Sequence, residues 1–239
     1  MSQTAKIAII GTGFSGLGMG IKLKEAGYDN FVILEQSDDV GGTWHENHYP
    51  GCACDVQSAL YSFSFEQNPN WTRMFAQQKE IQAYLRSCAE KYDLMKHVRL
   101  NTHVAGARFD EKTQSWTVET CDSPKLWAYM QDKGLNPGDK LNRKDKGLPE
   151  FNNVKADVVV SGMGGLSTPA YPRIKGIDTF TGKSFHSQDW DHDYDFKGKR
   201  VAVIGTGASA IQFVPEVAKD AAHLDLYQRT PPWIVPKPD

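Results

Sequence analysis

Apolar residues in this chain cluster in short unbroken runs separated by polar, glycine-rich segments. Ala5–Ile10 is unbroken, the pattern of a strand covered on both faces in a parallel sheet, and Phe31–Glu35, Ala156–Val160, Val201–Ile204 and Leu224–Gln228 are read as further strands. Helical runs follow two of them directly. One spans about 15–26, with Gly27 as its stop, and one about 208–219. A third, Ala76–Tyr92, places Ile81, Tyr84, Leu85 and Cys88 on one face at helical spacing. Tyr61, Phe63 and Phe65 alternate through Ser58–Phe65 and predict an extended segment. Short strands are expected at Val98–Leu100, Val104–Phe109 and Trp116–Glu119, the last two forming a hairpin that turns at Glu111–Gln114.

This order predicts an α/β fold of two dinucleotide-binding, Rossmann-like three-layer domains, the second incomplete. The boundary is expected between 1–175 and 176–239. Residues 121–155 break the pattern: they are polar and hold Gly134, Pro137, Gly138, Gly147 and Pro149. A short helix near 126–133 is expected there, and a solvated insertion otherwise.

Composition narrows the function. The 239 residues carry 27 basic and 29 acidic side chains, so no basic excess points to nucleic acid or to an anionic membrane surface. No apolar run approaches the length of a spanning helix. The first strand begins too early to leave room for a signal peptide, and Cys52, Cys54, Cys88 and Cys121 form no Cys-x-x-Cys pair. These features predict reduced thiols in a cytoplasmic protein.

The chemistry concentrates in two matched turns. Gly11-Thr-Gly13-Phe14-Ser15-Gly16 and Gly205-Thr206-Gly207-Ala208-Ser209-Ala210 each follow an apolar strand and open a helix. Glycines there let the backbone turn tightly and approach a pyrophosphate at the helix N-terminus. A charged residue ends the next strand at the same offset: Glu35 lies 24 residues after Gly11, and Arg229 lies 24 after Gly205. A carboxylate suits ribose hydroxyls and an arginine suits a 2′-phosphate, so the first site reads as FAD or NAD and the second as NADPH. An ordinary strand–helix corner without ligand is the competing reading.

Between them, residues 39–55 form a loop rich in Gly and aromatics, long enough to lie over a ligand. Gly41 and Gly42 permit close backbone approach, and Trp44 and Tyr49 offer flat faces. His45 and His48 stand three apart in a Gly/Pro loop, without the helical four-residue spacing of zinc proteases, so no metal is expected. Asp55, taken alone, reads as a turn aspartate. A second glycine-dense crossing runs from Ser161 to Pro169, and the tail 230–239 is proline-rich.

With these residues in view, the chain resembles the N-terminal part of the Baeyer–Villiger monooxygenases, class B flavoprotein monooxygenases. Four motifs carry the resemblance: Gly11-x-Gly13-x-x-Gly16; Gly42-Thr43-Trp44 with Tyr49-Pro-Gly51-x-x-Cys54-Asp55; Phe180-x-Gly182-x-x-x-His186-x-x-x-Trp190-Asp191; and Gly205-x-Gly207-x-Ser209-Ala210. The third is the family's own fingerprint and the most specific.

The resemblance implies that NADPH reduces FAD and that one oxygen of O2 is inserted beside the carbonyl of a small ketone, giving an ester or lactone. It implies cofactor contacts from Gly11, Gly13, Phe14, Ser15, Gly16, Glu35, Gln36, Gly42, Thr43, Trp44, Asp55, Tyr61 and Val104. On the second site it implies contacts from Gly205 to Ala210, Gln212, Arg229 and Thr230. Asp55 becomes the candidate catalytic carboxylate, orienting an arginine near the flavin. His186 is expected either to tune the linker or to be a structural histidine. Family members are about twice as long, with the arginine and the rest of the FAD domain farther along, so the chain reads as an N-terminal fragment unable to oxygenate alone. An N- or S-oxidising flavin monooxygenase, an NADPH oxidase, and a non-catalytic nucleotide-binding fragment stay open as alternatives.

Overall fold

The structure is a computed structural model that describes residues 6–166, 168–172 and 174–235. Expectations for Ala5, for Ser167 in the second glycine crossing and for 236–239 of the tail lie outside these residues. The chain packs as two units, residues 1–45 with 82–167, and 46–81 with 168–239. The boundary expected from sequence comes later and assigns 46–81 to the first unit. The contacts that hold 49–53 run to the helix after the second glycine turn, and those contacts are invisible in a linear reading.

In the first unit, β1 (Ile7–Ile10), β2 (Phe31–Leu34), β3 (Val98–Arg99) and β7 (Val158–Ser161) form a parallel sheet in the order β3-β2-β1-β7. Alternate residues of β1 and β2 face opposite sides, and both sides are covered, which explains the unbroken apolar runs. On one face Ala8, Val32 and Leu34 pack with Val118, Val154 and Ala156 of a second, antiparallel sheet. That sheet is β4 (Thr102–Asp110), β5 (Ser115–Asp122) and β6 (Asn152–Ala156), in sequence order. On the other face lies α1 (Phe14–Glu25), so close that a Cβ on Gly20 would stand 3.1 Å from the Ile33 side chain. Phe14 reaches Tyr84 of α3 (Gln78–Lys91), with ring centroids 6.2 Å apart. The result is three layers, and the α/β class expected from sequence holds. The hairpin, the apolar face of α3 and the buried, unbridged cysteines agree as well.

Three local expectations change. First, Ala156–Val160 is two strands rather than one. Asp157 breaks the run: its carboxylate accepts from the Lys6 amide at 2.7 Å, so residues before it join the antiparallel sheet and residues after it join β1. As an edge strand β7 is covered less well than expected, and Val158 is exposed.

Second, 58–65 is a chain of turns. The Leu60 and Tyr61 amides donate to the Gln57 carbonyl and the Ser62 hydroxyl to the Ser58 carbonyl, while the buried Ser58 hydroxyl, shared between the Arg73 and Met74 carbonyls and accepting from the Ala76 amide, ties the segment to 73–76. The alternating rings still share a side, with Phe63 stacked on Phe65 at 5.0 Å.

Third, the polar insertion is folded. Helix α4 (Ser123–Lys133) is N-capped by Asp122, has proline in its first turn and ends at Gly134 in the left-handed conformation, φ +63°. Cys121, Leu126, Tyr129 and Met130 form a small core, closed by Leu135, Leu141, Leu148 and Phe151. The Arg143 guanidinium lies 3.6 Å over the Phe151 ring and pairs with Glu119 at 2.6 Å. Widely spaced leucines in a polar background show no period, so the satellite core leaves little trace in the linear pattern.

In the second unit, β8 (Arg200–Ile204) pairs in parallel with β9 (His223–Tyr227), and α5 (Ala208–Val217) connects them. Within 39–55, Thr43–Glu46 forms the one-turn helix α2, in the first unit but for its last residue. No helix among the described residues is long and apolar enough to cross a membrane.

Candidate functional site: two glycine turns and a loop

The first turn is enclosed by backbone. Gly11 has φ +94°, a conformation only glycine adopts freely. A Cβ on Gly16 would lie 1.9 Å from the Gly11 carbonyl oxygen, so the helix can start here only without one. An added Cβ on Gly42 would lie 2.9 Å from the Gly13 Cα, and one on Gly162 would lie 3.0 Å from the Gly16 Cα. Three segments distant in sequence thus meet at this turn. Gly13 caps α1 without a side-chain hydrogen bond, and the first turn of the helix holds no acid. Its leading N–H groups therefore face outward with the dipole's positive end, ready for an anion.

Glu35 is buried beside this turn. One carboxylate oxygen accepts from the Thr12 amide at 2.8 Å and from the Thr12 hydroxyl at 2.5 Å; the other accepts from the Ser37 amide at 3.0 Å. Those bonds orient the carboxylate and leave lone-pair capacity for a further donor. Thr12, fully buried, was not singled out by sequence reasoning, although its recurrence as Thr206 was a signal. Gln36 is half-buried and Ser15 exposed. Trp44 is buried, and Thr43 lies near Gly164 of the second crossing. The neighbouring His45 ring is held at both nitrogens, by Asp38 at 2.9 Å and Gln82 at 2.8 Å. His48 instead bonds His192 at 2.7 Å, so the two histidines have separate partners. Val104 sits at an irregularity in β4 and packs on the core between the sheets.

The second turn repeats the geometry with less around it. Gly205 has φ +112°, and Gly207 caps α5, again with no side-chain cap and no acid in the first turn. Nothing lies within 4 Å of a Cβ built on either glycine. Ala210 is buried, Thr206 and Ser209 half-buried, and Ala208, Arg229 and Thr230 exposed.

What surrounds α5 is the loop 49–55 and the fingerprint segment. Tyr49 donates to the Gln212 side-chain oxygen at 3.0 Å, and the Gln212 amide pairs with Ala53 on both its N–H and its carbonyl, at 3.2 and 2.8 Å. Burial pushes the Tyr49 phenol well above its ordinary value, and burial likewise raises the Cys52 thiol. Asp55 follows this clamp, exposed and without a hydrogen bond among the described residues. Tyr61 is half-buried in the turns after it.

The fingerprint residues each have a physical task. The Phe180 ring lies over Gly182, where a Cβ would come within 2.6 Å of it. His186 caps a short 3-10 turn by accepting from the Gln188 amide at 3.1 Å, and its own amide donates to the Tyr171 hydroxyl. Trp190 is buried among Phe185, Phe196 and Phe213, the last on α5 at 5.2 Å. Asp191 pairs with Lys183 at 2.6 Å, which holds its carboxyl below the usual value and raises the lysine. Phe185, Phe196 and Phe213 escaped sequence reasoning because isolated phenylalanines carry no pattern.

Known proteins match this chain along nearly its whole length. A model of the NAD(P)-binding Rossmann-like domain matches residues 9–78, and one of the flavin-binding monooxygenase-like family matches 146–238. A Baeyer–Villiger monooxygenase of Pseudomonas aeruginosa is 57% identical over 238 residues, covering 100% of this chain and 40% of that protein. One from Streptomyces coelicolor is 45% identical, covering 99% of this chain and 40% of its own length. Among solved structures, an oxidized steroid monooxygenase bound to NADP is similar at a TM-score of 0.78 and 35% identity, with 99% of this chain and 41% of that one covered. The OTEMO complex with FAD and NADP gives 0.77 at 35%, with 99% and 41% covered. The chain thus spans about two-fifths of the length of the relatives it matches.

Proposed function

We propose that this chain, which belongs with the Baeyer–Villiger monooxygenases, carries the FAD-contacting turn and the opening of the NADPH site of an enzyme that inserts one oxygen of O2 beside a ketone carbonyl. One observation carries the reading: two turns of the same construction, one beside a buried carboxylate, the other beside an exposed guanidinium. FAD fits the first turn. A Cβ at Gly11, Gly16 or Gly42 would crowd the cradle, and Glu35 is oriented with acceptor capacity to spare. NADPH fits the second, where Arg229 is exposed two residues beyond β9. When bound, the flavin supplies the redox and oxygen chemistry, and the protein supplies binding, orientation and electrostatics.

The chain's own residues then have these parts. The N-termini of α1 and α5 hold pyrophosphates, and Glu35 accepts from ribose hydroxyls. Gly42, Thr43 and Trp44 lie along the dinucleotide, with Phe14, Ser15 and Gln36 beside its entry. Tyr61 and Val104 border the flavin. Thr206, Ser209 and Thr230 complete the coenzyme site with Arg229. Asp55 holds a negative charge that orients a cationic group toward the reacting oxygen. The cytoplasm suits the reduced thiols.

The test is binding by the purified chain. Visible flavin absorbance should be retained or restored on adding FAD, and NADP+ should bind more tightly than NAD+. Replacing Arg229 with Ala should erase that preference, a loss of about tenfold or more. An unchanged preference, or no flavin binding, would overturn the reading.

A further inference from the structure

We infer that Gln212 is a positioning residue: it seats the Tyr49–Asp55 loop on the helix that follows the second glycine turn. A glutamine at this place would ordinarily be read as a coenzyme ligand. Three of the four hydrogen bonds its side chain can make are already committed. The oxygen accepts from the Tyr49 hydroxyl and the Ala53 N–H, and the amide nitrogen donates to the Ala53 carbonyl. This two-point pairing with one peptide residue imitates a strand ladder, across a sequence separation of 159 residues.

The backbone around it is shaped for the same contact. Gly51 has φ +76°, and a Cβ there would stand 2.8 Å from the Gln212 carbonyl oxygen, so only glycine lets the loop come this close. On the far side the Cys52 carbonyl accepts from the Gln78 amide and the Cys54 amide donates to the Ala76 carbonyl. The loop is therefore anchored to the start of α3 by backbone and to α5 by the Gln212 side chain, with Tyr49 also touching Ser209 and Phe213 of that helix. The adjacent Phe213 touches Tyr49 with ring centroids at 6.0 Å and Trp190 at 5.2 Å, tying the fingerprint to the same clamp. Asp55 follows Cys54 directly and has no hydrogen bond among the described residues to hold it, so its place follows from the seating of the loop. Seating of the loop is independent of any cofactor, while its consequence for Asp55 rests on the function proposed above.

Cys52 reports the seat, because its thiol is buried inside the clamped loop. Maleimide labelling of the cofactor-free chain, resolved by peptide mass spectrometry, measures its exposure, with buried Cys88 and Cys121 as references for general unfolding. Gln212→Ala should label Cys52 about tenfold faster and leave Cys88 unchanged. Gln212→Glu keeps the chain length and both acceptor contacts but loses the donor to Ala53, and should fall between. Ile211→Ala, an exposed change on the same helix, should match the parent chain. A spectroscopic readout runs in parallel: the Tyr49 phenol, raised by burial, should titrate closer to the ordinary value of about 10 in Gln212→Ala.

The inference is overturned if Gln212→Ala leaves Cys52 as protected as before, even when NADP+ binding weakens, since that pattern marks a direct ligand. It is overturned equally if Ile211→Ala exposes Cys52 to the same degree. A chain that binds neither FAD nor NADP+ would sink the proposed function and leave the labelling result standing.

Discussion

The two glycine turns share sequence, offset and backbone bend, yet they are held in different ways. At the first, glycine packs on glycine: Gly16 on Gly11, Gly42 on Gly13, Gly162 on Gly16. Thr12 and Glu35 are both buried and bonded to each other. At the second, the glycines have open space, Thr206 is half-exposed, and Arg229 reaches solvent. Support for α5 comes from side chains instead, the Gln212 amide and the aromatic group around Trp190. A strand–glycine–helix motif therefore dictates a bend. Whether that bend becomes a closed cradle depends on which distant segments reach it.

Steric substitution should break the comparison most sharply. Gly16→Ala overlaps backbone that no rotamer change can relieve, and should cost more than about 4 kcal/mol in denaturant unfolding of the first unit. Gly207→Ala, at the extended φ of −72° and with no neighbour, should stay within about 1 kcal/mol. Equal costs would mean that the two turns are enclosed alike.

Trp190→Ala should come next, at about 3–5 kcal/mol, because it empties the aromatic group that backs α5. The loss should appear in thermal unfolding of the second unit, with protection of the first unit's amides in hydrogen exchange intact.

A third change separates the strand-end charges. Glu35→Gln replaces one acceptor oxygen with a donor that faces either the Thr12 amide or the Ser37 amide, a loss of about 1–3 kcal/mol. Arg229→Ala, on an exposed side chain, should shift the melting curve by no more than about 0.5 kcal/mol while changing coenzyme preference. Comparable stability losses would show the two charges to be equally embedded.

The smallest effect concerns pH. Lys183 bonds Asp191 and holds its carboxyl below the ordinary 3.8. A carboxyl depressed in the folded state contributes stability above its unfolded value and loses it as pH falls through the folded value, so the contribution fades below about pH 4. Acid titration of Asp191→Asn should lack this component and be otherwise superimposable on the parent, a modest difference because the pair is exposed.

Much of this could be read from residue order. Apolar strands, helical spacing in α3 and the repeated Gly-Thr-Gly turns foretold an α/β fold with two matched strand–turn–helix units, and the common offset put Glu35 and Arg229 just past the ends of β2 and β9. The reading failed where structure depends on partners far along the chain. Asp157 splits one apolar run into two sheets by bonding Lys6. Ser58 ties an alternating stretch to residues 73–76. Leucines at 126, 135, 141 and 148 make a satellite core from residues with no common period.

Local rules, then, settled by themselves what depends on a residue and its near neighbours: which runs become strands, where a helix begins, where only glycine can bend, and which charge ends each strand. Tertiary structure decided which of these features meet. It closed one turn with Gly42 and Gly162, gave the loop before Asp55 to Gln212, and made Trp190 the support of α5. The reason is range. Dihedral preference and side-chain periodicity act over a few residues, whereas hydrogen bonding and packing act between whatever atoms folding brings within a few ångströms.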